Sequence, residues 1–152
     1  MYTLLLIVHS WLRWGVIIAG LLAAFMLVTR RAAGHVPNAS HPGDRWGLFF
    51  MIFLDLQLLV GLLLYFVVSP NMSVIRANMA ASMRDPVARF WAVEHVTAML
   101  VALVAIHVAR VLARKAGTAD SRRRRMLIGV SLAMLAVLWA TPWPGRPAGR
   151  PM

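Results

Sequence analysis

The sequence predicts an all-α integral membrane protein, a four-helix bundle running up-down-up-down with both termini outside the cytoplasm. Three observations predict it. The 152 residues are 61% hydrophobic and only 14% charged, whereas a soluble domain is about 45–50% apolar and about a quarter charged. The apolar residues are blocked into four long runs, and are not spread at amphipathic spacing. The basic residues gather in the connections between those runs, where Lys and Arg set membrane orientation.

The first run covers about 4–28 and stops at Arg30 and Arg31. No basic segment and no A-x-A site precede it, so it reads as a first span and not as a cleaved signal peptide. The second covers about 46–68, with Asp44 as a candidate helix cap and Ser69–Pro70 as its stop. The third starts at Asp85–Pro86, a cap residue followed by proline at the first helical position, and runs to about 112. The fourth covers about 125–141 and ends at "TPWPGRP". Each run is long enough for a hydrocarbon core of about 30 Å at about 1.5 Å per residue, with arginines snorkelling from the short fourth. Together they form a single domain.

The charge pattern orients the bundle. The first and third connections hold Arg30, Arg31, Arg45, Arg110, Arg114, Lys115 and Arg122–Arg125, against Arg76, Arg84, Arg89, Arg146 and Arg150 on the other side. Ten against five places the termini outside. The net charge of +11 is therefore a topology signal, and no nucleic-acid partner is expected. Between the second and third runs, "NMSVIRANMAASM" sets Met72, Ile75, Met79 and Met83 on one helical stripe, either an interfacial helix or a loop packing methionines on the bundle. Trp11, Trp14, Trp91, Trp139 and Trp143 suit one interfacial belt and Trp46 the other.

Ionisable side chains inside spans are costly, so each marks a candidate site. They are His9 and Arg13 in the first span, Asp55 in the second, and Arg89, Glu94, His95 and His107 in the third. His9 lies about six residues into its run and His95 lies six residues after Arg89, at similar depth near the outer side. Helices one and three of such a bundle stand diagonally across its axis, so the two imidazoles are placed to ligate one metal centre.

The chain has no cysteine, which excludes thiolate zinc sites, Fe–S clusters and c-type haem. One b-type haem with His9 and His95 as axial ligands fits best. Gly61, Ala98 and Ala102 would line a slot for the macrocycle, and Arg13 and Arg89 would hold the propionates. Arg13 could instead pair with Glu94 or Asp55. His107 lies about 18 Å further down the helix, where no second histidine is on offer, so a second haem is not expected. Zinc or copper at the same pair lacks a placed third ligand other than Glu94. The histidines could also serve as interhelical hydrogen-bond glue. A transporter would need paired discontinuous helices, and none is seen.

"HSWLRW" (9–14), "LDLQLLVGLLLYF" (54–66), "RFWAVEH" (89–95) and "PWP" (142–144) resemble short bacterial four-span membrane proteins of the cytochrome b-like type. The resemblance covers all four runs. It implies a multi-pass protein of the bacterial inner membrane carrying haem b, with His9 and His95 as ligands and Arg13, Arg89 and Glu94 as companions. Electron transfer as an accessory subunit of a respiratory or other redox complex is then the expected role. The partners would be membrane redox subunits, a periplasmic electron carrier or a quinone. No catalytic motif is present, and the alternative is a cofactor-free structural or assembly subunit.

Overall fold

A computed structural model describes residues 1–29, 42–145 and 148. Helix α1 spans Tyr2–Thr29, and α2 spans Pro42–Leu63 and continues into a π-helical turn, Leu64–Val68. Two short helices follow, α3 (Pro70–Ala77) and α4 (Met79–Ser82). Helix α5 (Pro86–Arg89) passes through a second π-turn, Phe90–Glu94, into α6 (His95–Arg114), and α7 covers Ala119–Ala140. The described residues are mostly helical, and no strand occurs among them.

Three of these segments are long and apolar enough to cross a membrane: Tyr2–Thr29, Gly43–Val68 and Pro86–Arg114. Helix α7 is as long as α2, but Arg122–Arg125 occupy its early turns and its apolar stretch runs only over 126–140. Helices α1 and α2 pack closely along their lengths, as do α6 and α7. Lighter contacts of α1 with α7 and of α2 with α6 close the ring, leaving α1 and α6 on its open diagonal.

The bundle carries large apolar side chains on its outside and small ones within. Its interior is rich in small residues, among them Ala19, Ala23, Ala102, Ala109 and Ala133, while Ile18, Phe25, Leu59, Val104 and Leu135 are exposed on the outside. Small interior residues let helices approach closely where the surrounding solvent is as apolar as the side chains. At Gly129 of α7, an added Cβ would meet the Ala109 methyl and lie 3.2 Å from the Ala105 carbonyl oxygen of α6.

The helix ends are fixed by caps. The Asp85 carboxylate accepts from the Ala88 N–H at 2.7 Å, as its place before Pro86 predicts. Asp85→Ala is expected to lower stability by about 1 kcal/mol, read as a lower thermal midpoint in detergent. Asp44 does not cap α2, which begins two residues earlier. It lies in the first turn and pairs with Arg122 at 2.9 Å. Helix α7 begins six residues before the expected 125, because the Thr118 hydroxyl accepts from the Ser121 N–H. Arg123 and Arg125 donate to the carbonyls of Leu27 and Leu112, tying α7 to the ends of α1 and α6.

The methionine stripe is not one helix. Asn78 leaves helical geometry (φ −132°, ψ 65°) to cap α4 through its side chain, breaking the run in two. Met72 is buried, whereas Met79 and Met83 stay exposed. Arg30, Arg31, His35, His41, Arg146 and Arg150 lie outside the described residues.

Candidate functional site

A cavity of about 950 Å³ opens along the α1–α6 diagonal at the end of the bundle that bears the N-terminus. This is the upper end of the range for ligand sites, roughly 300–1,000 Å³. Its wall includes His9, Arg13 and Trp14 from α1, Gln57 and Gly61 from α2, and Trp91 and His95 from the third span. Asn71, Met72 and Ile75 of α3 also border it.

His95 follows directly on the Phe90–Glu94 π-turn. Such turns insert one residue into the helical ladder and frequently mark functional sites. The turn is tied across to α2 by the Tyr65 hydroxyl, which donates to the Ala92 carbonyl at 2.9 Å. The His95 ring lies against both Trp91 and Phe90, at centroid distances of 5.4 and 5.8 Å. Its Nδ1 stands 2.9 Å from the Ala140 carbonyl. A carbonyl only accepts, so Nδ1 carries the proton and Nε2 keeps the lone pair. Ala140 ends α7, so its carbonyl is one of those a helix terminus leaves without an intrahelical partner. One hydrogen bond thus closes a helix and fixes an imidazole, the arrangement by which proteins orient metal-ligating histidines.

His9 faces His95 across the diagonal with ring centroids 6.3 Å apart and planes at 63°. Its Nε2 lies 3.2 Å from the carboxamide nitrogen of Gln57. Gly61 explains how α2 comes so near the ring, since a Cβ there would sit 3.1 Å from His9 Cε1. Gln57 is only 6% exposed, and its Oε1 has no hydrogen-bond partner.

Arg13 borders the cavity with its Cζ 5.5 Å from the Trp14 ring centroid, and its Nε is buried without a hydrogen-bond partner. Both acids proposed for it are engaged elsewhere. Glu94 binds Arg89 at 2.7 Å, and Asp55 lies 3.6 Å from His107 Nε2. Arg89 is therefore part of a partly exposed ion pair and is not on the cavity wall. Ala98 and Ala102 are buried in the helix core, so Gly61 is the one proposed slot residue that borders the cavity.

His107 donates its Nδ1 proton to Leu103 O at 2.9 Å and stands apart from the cavity. Trp11, Trp14 and Trp91 border the cavity, Trp11 being largely exposed, and Trp139 is exposed on the outside of the bundle. Trp143 donates to Leu138 O and packs against the core. Among the described residues, no three His, Cys, Asp or Glu side chains converge on one point.

The residue that the sequence reading passed over is Gln57. It sits on the inward stripe of α2, Phe50–Leu54–Gln57–Gly61–Leu64, with buried apolar residues at 50, 54 and 64. A lone amide on an otherwise apolar heptad face was the available signal. No family model, curated protein or solved structure matches the chain.

Proposed function

We propose that the chain is a four-span b-type cytochrome of the bacterial inner membrane, binding one haem b between His9 and His95. The observation that carries this is the pair itself. Two imidazoles from diagonally opposed helices come within 6.3 Å, centroid to centroid, on the wall of a cavity of about 950 Å³. Among the described residues only these two imidazoles meet here; His9 and His95 would hold a haem iron, whereas a catalytic zinc wants three protein ligands.

Haem supplies a reversible one-electron couple when bound. The chain's own groups hold it in place. His95 keeps its proton at Nδ1 on Ala140 O, which preserves the Nε2 lone pair and fixes the orientation of the ring. Arg13, with no acid paired to it among the described residues, would provide the charge for a propionate. Trp14 and Trp91 exclude water from the cavity wall.

Helix α7 serves as the fourth span, with Arg122–Arg125 snorkelling at the cytoplasmic face. The ten-to-five charge distribution then sets the termini and the cavity on the periplasmic side. A single site at one face does not carry an electron across the bilayer. The protein therefore acts with others, as an accessory subunit exchanging electrons with membrane redox subunits, a periplasmic carrier or quinone.

One observation favours a second reading. Centroids at 6.3 Å and a T-shaped arrangement also fall within the range for ordinary aromatic pairs, about 4.5–7 Å. A cofactor-free assembly subunit would use the contact to fix helix register. Haemin titration of the detergent-solubilised apoprotein separates the two. A b-type cytochrome saturates at one haemin per chain, and His9→Ala weakens binding about tenfold or more. A structural subunit shows no saturable binding.

A further inference from the structure

The two imidazoles are held in different ways. His95 is anchored through Nδ1 to a backbone carbonyl at the end of α7, which leaves its Nε2 lone pair for a metal. His9 has its Nε2 on the side-chain amide of Gln57. As the amide stands, its N–H donates to that nitrogen and takes the lone pair a metal would use. The contact is a built one: Gln57 is 6% exposed, on the apolar inward stripe of α2, and Gly61 one turn along leaves room for the ring. Its Oε1 is buried with no hydrogen-bond partner, so the amide's position is not explained by a second bond of its own.

From this asymmetry we propose that His95 is the permanent axial ligand and His9 the exchangeable one, with Gln57 the positioning residue that receives His9 when it leaves the metal. The inference rests on the haem assignment made above and deepens it. An iron site with one displaceable imidazole admits a small diatomic ligand, and polar donors beside the vacated position govern such binding. The Gln57 amide, which carries two N–H groups, is such a donor. The site therefore takes a diatomic molecule of the carbon monoxide, nitric oxide or dioxygen class in addition to passing electrons. Binding requires only that His9 move to Gln57, and it consumes no further reactant.

Carbon monoxide is the probe. The haem-loaded, dithionite-reduced wild-type protein is mixed with carbon monoxide and followed at the Soret band. The expected result is a carbonyl spectrum forming with saturable dependence on concentration, as dissociation of His9 becomes limiting. In Gln57→Leu the released imidazole has lost its hydrogen bond, so carbon monoxide uptake falls about fivefold, the factor that one net hydrogen bond commands. Haemin affinity of that apoprotein stays the same or rises. Gln57→Met repeats the measurement with a more adaptable side chain, and circular dichroism checks that both variants are folded. A wild-type spectrum unmoved by carbon monoxide would overturn the exchange of His9. Equal uptake in wild type and both variants would overturn the role of Gln57. A protein that takes up no haemin at all defeats the underlying haem assignment, which is a distinct result.

Discussion

Purified His95→Ala protein is expected to lose the b-type absorption spectrum, with haem content falling to about a tenth of wild type or less. Removal of groups that merely orient a ligand already costs about 10–100-fold in metal affinity, and this change removes the ligand itself. The fold should survive. The lost side chain contributes one hydrogen bond to Ala140 O, worth about 1 kcal/mol, and ring contacts with Trp91 and Phe90. Secondary structure and detergent elution should therefore match wild type, separating loss of the site from loss of the bundle. His107→Ala is the control. That residue lies about 18 Å along the helix from His95, on Leu103 O and Asp55, and its loss leaves the spectrum in place.

The largest effect on folding is expected at Gly129→Leu. The new Cβ runs into Ala109 and approaches the Ala105 carbonyl of α6. Neither obstacle is the end of a flexible side chain, so α6 and α7 must separate. Overpacking of this kind costs about 1–3 kcal/mol and occasionally more. Here it strikes the more closely packed side of α7, and α7 in turn supplies the Ala140 carbonyl that holds His95. The measurable outcome is a lower yield of monodisperse protein and a thermal midpoint reduced by several degrees. Gly20→Ala is milder, because the nearest obstacle is the Met134 thioether, which repacks readily. Gly117→Ala meets nothing within 4 Å and leaves the midpoint unchanged or slightly raised.

What could be read from the sequence follows from what each signal depends on. Asp85 before Pro86 is a local signal, and the third span starts there as expected. The meeting of His9 and His95 needed only helix rise and bundle connectivity, and the two ring centroids do stand 6.3 Å apart. The π-turns were not legible, because an extra residue in a helical ladder is stabilised by tertiary packing and carries no fixed composition. That omission hid the fate of Arg89. Residues five apart do not share a face on an α-helix, where neighbours are three or four apart. The wider turn over Phe90–Glu94 brings Arg89 onto Glu94, so it leaves the cavity wall to Arg13. Ala98 and Ala102 were assigned to the slot by their spacing from His95, but that spacing fits helix packing equally well, and packing is where they are found. Gln57 escaped notice because it carries no charge, although an amide on an apolar stripe is informative for the same reason as a charge is.

The central claim is that the His9–His95 cavity holds one b-type haem, and a reduced-minus-oxidised spectrum of the natively expressed, detergent-purified protein tests it most directly. The expected result is a b-type difference spectrum with haem extractable at one per chain, lost on replacing His9 or His95 and retained on replacing His107. A folded, monodisperse and colourless protein would contradict it and leave the two histidines as a packing pair between helices.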